Sequence, residues 1–124
     1  MFHAVVHMDH QHAQVLHFDR QQVHSDHIEA HHHVTRQHGN DARHQKAYFD
    51  AVCEALKDTR EVLVTGSHPV IAEFRHHAEA HQPQLAGRIA DYRPAAPLSQ
   101  GQLLALARQF FTAYDRMAGI PTPT

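Results

Sequence analysis

Histidine dominates the residues of this chain that could do chemistry. There are 16 histidines in 124 residues, beside a single cysteine. Neutral imidazole is the commonest side-chain ligand of transition metals. Three groups have spacings that can bring rings together, because they are consecutive, four residues apart on a predicted helix, or on one face of a predicted strand. These groups are His31-His32-His33, His77 with His81, and His3 with His7.

These histidine groups do not complete a known metal-binding motif. The sequence has no HExxH and no Cys/His quartet, and spacing without supporting ligands is weak evidence for a dedicated site. We therefore predict that no cofactor is required. We expect divalent zinc or nickel to bind adventitiously, above all at His77 and His81, where two rings share a helical face. A histidine-rich metal-binding protein is the alternative function.

Carboxylates suggest a second chemistry, the hydrolysis of a phosphodiester by two metal ions held between clustered acids. Asp9 follows the first predicted strand, and Asp50 or Glu54 could project from a long helix. However, the most apolar strand ends at Gly66 without an acidic residue. Acids on a solvated surface are the better interpretation, so a two-metal nuclease is only the third hypothesis.

Nucleophilic catalysis requires a nucleophile that is oriented by a base. Ser67 precedes His68, but Ser67 is accounted for as the cap of a helix. Cys53 lies on the apolar stripe of a helix and is expected to be a small core residue. We predict no catalytic residues and no enzymatic activity.

The elements that position these residues follow from apolar periodicity. The first third of the chain reads as three short strands with polar turns, which predicts an antiparallel meander. Residues 31–44 are polar and contain Gly39 and Asn40, which predicts a long loop. Helix and strand then alternate to the C-terminus. The predicted strands are 2–8, 13–18, 23–30, 61–65 and 88–92, and the predicted helices are 41–57, from Ser67 to Pro83, and from Ser99 to Gly119.

Two of these elements carry specific expectations about burial. The strand at 61–65 is an unbroken apolar run, which is typical of an interior strand covered on both faces. Ser99 and Gln102 form a capping box at the start of the last helix. That helix is predicted to bury Leu103, Leu104, Ala107, Phe110, Phe111, Tyr114 and Met117.

Composition indicates one domain over residues 1–124. The formal charge of −2 marks neither a strongly basic nor a strongly acidic protein. A lone cysteine excludes an internal disulfide and fits a reducing compartment. The N-terminus lacks a basic region and an apolar core of the secretory kind, and no apolar run approaches the ~20 residues that cross a bilayer. We expect a cytoplasmic protein with no membrane partner.

Several segments of the sequence resemble a known family. FHAVVHMDHQHAQVLHFD resembles the opening hairpin of the middle domain of archaeal and eukaryotic class I release factors and Pelota. HHHVTRQHGNDARHQKAYFDAVCEAL is similar to the basic loop and long helix of that domain. EVLVTGSHPVIAEF, RIADY and SQGQLLALARQFF resemble its later strands and helices. The chain also resembles short, histidine-rich bacterial proteins called translational machinery proteins.

This resemblance implies an α/β fold, namely a three-layer ribonuclease H-like domain of order βββ-α-β-α-β-α with a mixed five-stranded sheet. Release factors hydrolyse peptidyl-tRNA with a Gly-Gly-Gln motif in the loop before the long helix. Here that loop reads QHGND, and the chain contains no Gly-Gly-Gln. Peptide release is therefore not implied, whereas the similarity to Pelota implies contact with the ribosome.

The segment 31–46 is the predicted contact surface for RNA or the ribosome. It follows the third strand and enters the long helix, and its basic residues could neutralise phosphates. Its histidines would add positive charge as the pH falls through ~6.5. The residues that we expect to contact RNA are His31, His32, His33, Arg36, His38, Arg43, His44 and Lys46.

Overall fold

The computed structural model describes residues 2–30 and 41–119. Within these residues the elements follow the order βββ-α-β-α-α-β-α, which differs from the predicted order by one short helix. The strands are β1 (His3–Met8), β2 (His12–Phe18), β3 (Val23–Glu29), β4 (Glu61–Gly66) and β5 (Ile89–Pro94). The helices are α1 (Asp41–Leu56), α2 (His68–His81), α3 (Pro83–Ala86) and α4 (Gln100–Ala118).

The five strands form one mixed sheet in the order β3-β2-β1-β4-β5. β1 pairs with β2 and β2 with β3 in antiparallel fashion, whereas β1–β4 and β4–β5 are parallel. Helices α1 and α2 cover one face of the sheet and α4 covers the other. This is the three-layer α/β arrangement with a mixed five-stranded sheet that the sequence resemblance implies.

The alternation of side chains along β1 divides the core into two clusters. Ala4, Val6 and Met8 pack beneath α1 and α2, while Val5 faces α4. β4 is buried along its whole length, because Val62 and Val64 join the first cluster and Leu63 the second. The prediction of an interior strand with both faces covered is confirmed. β3 forms the edge of the sheet, and its side chains are mostly exposed.

Helix α4 is bounded by the predicted signals. The Ser99 hydroxyl accepts from the backbone N–H of Gln102 at 3.2 Å, and the Gln102 side chain accepts from the N–H of Ser99 at 3.0 Å. Gly119 ends the helix in the left-handed conformation with φ 71°. Both features reproduce the capping box and the glycine stop that the sequence indicates.

The buried stripe of α4 corrects one prediction. Met117 is 89% exposed rather than buried. Burial recurs every four residues at Leu103, Ala107 and Phe111, so the next buried position is Asp115. Met117 lies two residues farther on, which at ~100° per residue is the opposite side of the helix.

The region between α2 and α4 departs from the prediction in two places. Pro83 lies just beyond the end of α2 at His81, as predicted, but it also begins the short helix α3, which the sequence does not predict, since a proline is well accommodated in the first turn of a helix. β5 extends to Pro94, two residues beyond the predicted strand. Just past it, the backbone N–H of Ala95 donates to the carbonyl of Gly66 at 2.9 Å. In the described residues, no helix combines the length and the hydropathy needed to cross a membrane.

Candidate functional site

A crevice opens at the carboxyl ends of the parallel strands, where the strand order reverses. β1 and β4 are neighbours in the sheet, but the chain continues from β1 to β2 on one side and from β4 to β5 on the other side. Ligands commonly bind at such a topological switch point. A cavity of about 550 Å³ occupies this position. It is lined by His7, Asp9, Gly66, Ser67, His68 and the segment 94–97.

Two polar side chains of the crevice, Asp9 and His7, are engaged by the protein itself. The Asp9 carboxylate accepts the backbone N–H groups of Gln11 and His12, both at 2.7 Å, and so closes the β1–β2 turn. Burial raises the pKa of Asp9, but these hydrogen bonds outweigh it and the pKa is lowered overall. The His7 Nδ1 lies 2.8 Å from the Thr65 hydroxyl, and burial lowers the pKa of His7. The crevice thus offers one carboxylate, already used in a turn.

Gly66 and Ser67 shape the wall of the crevice. Gly66 has φ 148°, and a Cβ at this position would lie 2.1 Å from the carbonyl oxygen of Met8. Only glycine therefore permits the strand to pass so close to β1. Ser67 occupies the N-cap position of α2 but makes no side-chain capping hydrogen bond. The expected cap is present by position only, which leaves the hydroxyl free to face the crevice.

The three acids considered for a nuclease lie in separate surroundings. Asp50 accepts from Lys46 Nζ at 2.9 Å and contacts His77 Nε2 at 2.9 Å. Glu54 pairs with Lys57 on the surface of α1. In the described ranges, two groups of three His, Cys, Asp or Glu residues bring their ligand atoms within 4.8 Å, and neither includes Asp9, Asp50 or Glu54.

His77 and His81 meet as their spacing predicts, with ring centroids 4.9 Å apart. However, His77 is only 7% exposed, and its Nε2 is occupied by the Asp50 carboxylate. Burial lowers the pKa of His77, and the carboxylate partly opposes this shift. Neither histidine belongs to the two ligand groups found among the described residues. The Asp50 carboxylate contacts His77, but among the described residues it does not form with both rings a group of three ligand atoms within 4.8 Å of one another.

The predicted contact segment 31–46 is described only in part. His31, His32, His33, Arg36 and His38 lie outside the described residues. The remaining three lie in the first turns of α1, where Arg43 and Lys46 are exposed and His44 is half-buried.

These three residues differ in their neighbours. Lys46 pairs with Asp50, and His44 borders a cavity of about 440 Å³ between β3 and α1. In the part of the chain that the structure describes, Arg43 has no ion-pair partner.

The opposite end of the parallel strands holds a buried polar cluster that the sequence did not predict. His3 begins β1, Glu61 begins β4 as its register partner, and Asp115 comes from α4. The His3 Nε2 lies 3.0 Å from Glu61 Oε1 and 3.1 Å from Asp115 Oδ2. His3 and Asp115 are fully buried and Glu61 is 8% exposed.

Aromatic rings enclose this cluster. The His3 ring stacks on Phe18 with centroids 5.6 Å apart, lies 4.4 Å from Phe111, and meets the edge of Phe2 at 4.8 Å. Burial raises the pKa of Glu61 to about 8, and the adjacent Asp115 carboxylate acts in the same direction. Burial lowers the pKa of His3, against the opposing influence of Asp115. The low-polarity surroundings therefore disfavour charge on both partners.

A second ligand group lies on the exposed edge of the sheet. It consists of His12 on β2 with His27 and Glu29 on β3. Glu29 Oε1 is 3.3 Å from His27 Nε2 and 3.8 Å from His12 Nδ1. All three residues are exposed, and strand pairing places them on one face of the sheet. Sequence spacing could not reveal this group because it depends on the register of β2 against β3.

Known proteins were compared with the chain by sequence and by structure. No family model matches the sequence, and no significant match is found among curated proteins. Solved structures do match. An archaeal translation termination factor, aRF1, aligns with a TM-score of 0.63 and 12% identity over 94% of this chain. Pelota of Archaeoglobus fulgidus gives 0.64, with 10% identity over 94% of the chain.

Dom34 of S. cerevisiae aligns with a TM-score of 0.56 and 11% identity over 92% of this chain. The alignments cover 39% of aRF1 and 35% each of Pelota and Dom34, so the chain spans little more than a third of these proteins. At such low identity the likeness concerns the fold. The chain therefore shares its fold with one part of the archaeal termination factor, Pelota and Dom34.

Proposed function

We propose that this protein is a non-catalytic module of the translation machinery that binds RNA or the ribosome through the segment 31–46. The observation that carries the proposal is the fold shared with aRF1, Pelota and Dom34 over at least 92% of the chain. The first of these is a translation termination factor, and Dom34 is a termination-like factor involved in RNA quality control. The sequence resemblance to bacterial translational machinery proteins belongs to the same proposal.

The lack of a catalytic role is supported by the chemistry of the crevice. The sequence has no Gly-Gly-Gln with which to release a peptide. Among the described residues, Asp9 is the only acid lining the crevice, and its oxygen already accepts two backbone hydrogen bonds. Two-metal hydrolysis requires several carboxylates that converge on the ions. These features favour binding over turnover.

The start of α1 supports the choice of contact surface. Arg43 and Lys46 are exposed and lie one turn apart, directly after the histidine-rich residues 31–40. A guanidinium without an acidic partner is available to a phosphate, whereas a paired one must first exchange its carboxylate. We expect the contacts to be electrostatic and to weaken with salt.

Co-sedimentation with ribosomes and binding to labelled RNA test this surface. The variant Arg36→Ala/Arg43→Ala/Lys46→Ala removes three positive charges from the segment. The control variant Lys57→Ala/Arg60→Ala/Arg75→Ala removes three exposed charges elsewhere. We expect the first variant to lose affinity at least about tenfold and to reduce the salt slope by up to about three, and the control to keep both. Equal losses in both variants would reject the segment as the contact surface.

The histidines of the segment add a pH dependence. We expect the affinity for RNA to rise between pH 7.5 and about 6, because exposed imidazoles acquire positive charge in this range. Circular dichroism at both values checks that the domain stays folded. An affinity that does not change with pH would remove these histidines from the proposed contact.

Metal binding is the second candidate function, and the exposed group His12, His27 and Glu29 favours it. Two imidazoles and a carboxylate are suitable ligands for zinc or nickel. We propose that this group and the His77–His81 pair bind divalent ions adventitiously and that no cofactor is required for RNA binding. Metal analysis of the dialysed protein, beside RNA binding in the presence of a chelator, separates the two functions. A loss of RNA binding on chelation would favour the metal function.

A further inference from the structure

We propose that His3, Glu61 and Asp115 form a buried binding site for one first-row divalent cation such as Zn²⁺. The three ligands come from β1, β4 and α4, so the site would join the middle of the sheet to the helix that covers it. This site is independent of the proposed contact with RNA and of the adventitious surface groups.

The spacing of the ligand atoms fits a metal ion. His3 Nε2 is 3.0 Å from Glu61 Oε1 and 3.1 Å from Asp115 Oδ2, and all three atoms lie within 4.8 Å of one another. Nitrogen and oxygen ligands at ~2.0–2.2 Å from Zn²⁺ stand roughly 3 to 3.5 Å apart from each other. The cluster therefore needs little movement to close around an ion.

The cluster also contains more acidic than basic groups. Within the described ranges, Glu61 and Asp115 form ion pairs with His3 alone, and no Lys or Arg side chain pairs with either carboxylate. Buried carboxylates are costly without a compensating positive charge. A divalent ion would balance both carboxylates at once, and its binding would displace the proton that burial favours on Glu61.

An unsatisfied oxygen gives independent support. Asp115 is 0% exposed, and its Oδ1 has no hydrogen-bond partner among the described residues. Native proteins rarely leave such an atom unpaired. Because Oδ2 already faces His3, Oδ1 is placed to complete a bidentate ligand or to accept a hydrogen bond from water on the ion.

The surroundings define the kind of ion and its route. One imidazole and two carboxylates suit zinc and similar first-row ions, whereas soft ions would prefer sulfur.

Phe2, Phe18 and Phe111 shield the His3 side. The Glu61 side chain is 10% exposed, so the ion would arrive past Glu61. His3 Nδ1 has no acceptor in the described residues, so the ring is not braced and binding should be weaker than at a closed structural zinc site.

The experiment uses the full chain after removal of competing surface ligands. A background variant replaces with Ala histidines outside the cluster that could chelate, namely His12, His27, His31, His32, His33 and His81. The metal-stripped background is titrated with Zn²⁺ by calorimetry and with Co²⁺ by visible absorption, which reports coordination by the protein. We expect one ion per chain and a Co²⁺ spectrum that Zn²⁺ displaces.

Two further variants locate the ion. Asp115→Asn in the background removes an anionic ligand with little change of shape, and we expect at least about tenfold weaker binding. Asp26→Asn is the matched control, since Asp26 is a partly exposed acid near other histidines on β2 and β3, and it should bind as the background does. Circular dichroism establishes that both variants are folded. Equal affinity of Asp115→Asn and the background would overturn the proposal.

A direct measurement covers the case in which Asp115→Asn does not fold. In the folded background with ¹⁵N-labelled histidine, Zn²⁺ should shift the Nε2 resonance of His3. An unshifted His3 resonance while Zn²⁺ binds, or no binding of Zn²⁺ at all, would show that the cluster is a structural hydrogen-bonded group and overturn the metal site.

Discussion

The two ends of the parallel strands combine chemistry and access in opposite ways. The carboxyl end is open, with a cavity of about 550 Å³, but its one lining acid among the described residues is used in a turn. The amino end carries an imidazole between two carboxylates, yet aromatic rings close it and only Glu61 reaches solvent. In this fold the crevice where ligands usually bind and the buried group of ligand atoms lie at different ends of the sheet.

This difference teaches that topology alone does not locate function. The switch between β1 and β4 creates a crevice in any sheet of this order, whatever its side chains. The buried cluster instead depends on single residues at the start of β1, the start of β4 and the end of α4. The following variants test each end against the other, beginning with the largest expected effect.

The first variant opens the closed amino end. Phe111→Ala removes a ring that is 1% exposed and lies 4.4 Å from the His3 ring. We expect the free energy of unfolding to fall by about 4 kcal/mol, because a cavity forms and water gains access to the polar cluster. Chemical denaturation measures the change. Phe110→Ala is the control, since its half-buried ring should cost much less.

The second variant perturbs the wall of the open carboxyl end. Gly66→Ala places a Cβ 2.1 Å from the Met8 carbonyl oxygen at a φ of 148°. We expect a loss of about 3 kcal/mol, because β4 must move away from β1 or adopt a strained backbone. Gly101→Ala is the matched control, as its Cβ would meet no atom within 4 Å. In helix α4 that change should stabilise the protein by about 0.5 kcal/mol. Similar losses in both variants would contradict the close approach at Gly66.

The third comparison uses the two serines that precede α2 and α4. Ser99→Ala removes a hydroxyl that accepts from the Gln102 N–H, and we expect a cost of about 1 kcal/mol. Ser67→Ala removes a hydroxyl that makes no capping hydrogen bond, so the cost should be within ~0.5 kcal/mol. Thermal unfolding of both variants shows which substitution costs more stability. A larger loss for Ser67→Ala would show that its hydroxyl is needed at the crevice.

The smallest expected effect is a change in how steeply the free energy of unfolding depends on pH. Burial lowers the pKa of His17, and the Asp26 carboxylate opposes this shift. The folded state therefore binds fewer protons than the unfolded state, so the contribution of His17 is complete above pH ~6.5 and is lost as the pH falls from there through the lower pKa of the folded state. Denaturation at several pH values should show a shallower loss of stability for His17→Gln than for the parent. Glu61 has a raised pKa, so its contribution to stability is lost as the pH rises, opposite to that of His17. Both the parent and His17→Gln contain Glu61, so comparing the two removes its contribution. If the free energy of unfolding depends on pH equally steeply in both proteins, the His17 ring is exposed to solvent in the folded state.

Local patterns were sufficient for the framework of the fold. The alternation in β1, the unbroken apolar run of β4, and the serine and glycine that bound α4 are short-range signals, and each is confirmed. The burial of Cys53 is confirmed too, and burial raises the pKa of its thiol to about 12.

The polar cluster could not be predicted because it joins residues far apart in sequence. His3 and Asp115 are separated by 112 residues. One signal was present: the four-residue repeat Leu103, Ala107 and Phe111 leads to Asp115 rather than to Met117. An acid at a position due for burial indicates a buried partner, but only the register of β1 with β4 shows that His3 and Glu61 supply it.

The exposed edge strand β3 has a consequence for the behaviour of the protein at high concentration. An unpaired strand edge is a template for a second chain, and growth from such edges leads to aggregation and fibrils. Along β3, the imidazoles of His24 and His27 alternate with the carboxylates of Asp26 and Glu29. A strand docking from another copy would have to strip water from these groups and break the ion pairs between them. The composition of β3 thus lets the sheet end in solvent without recruiting further strands.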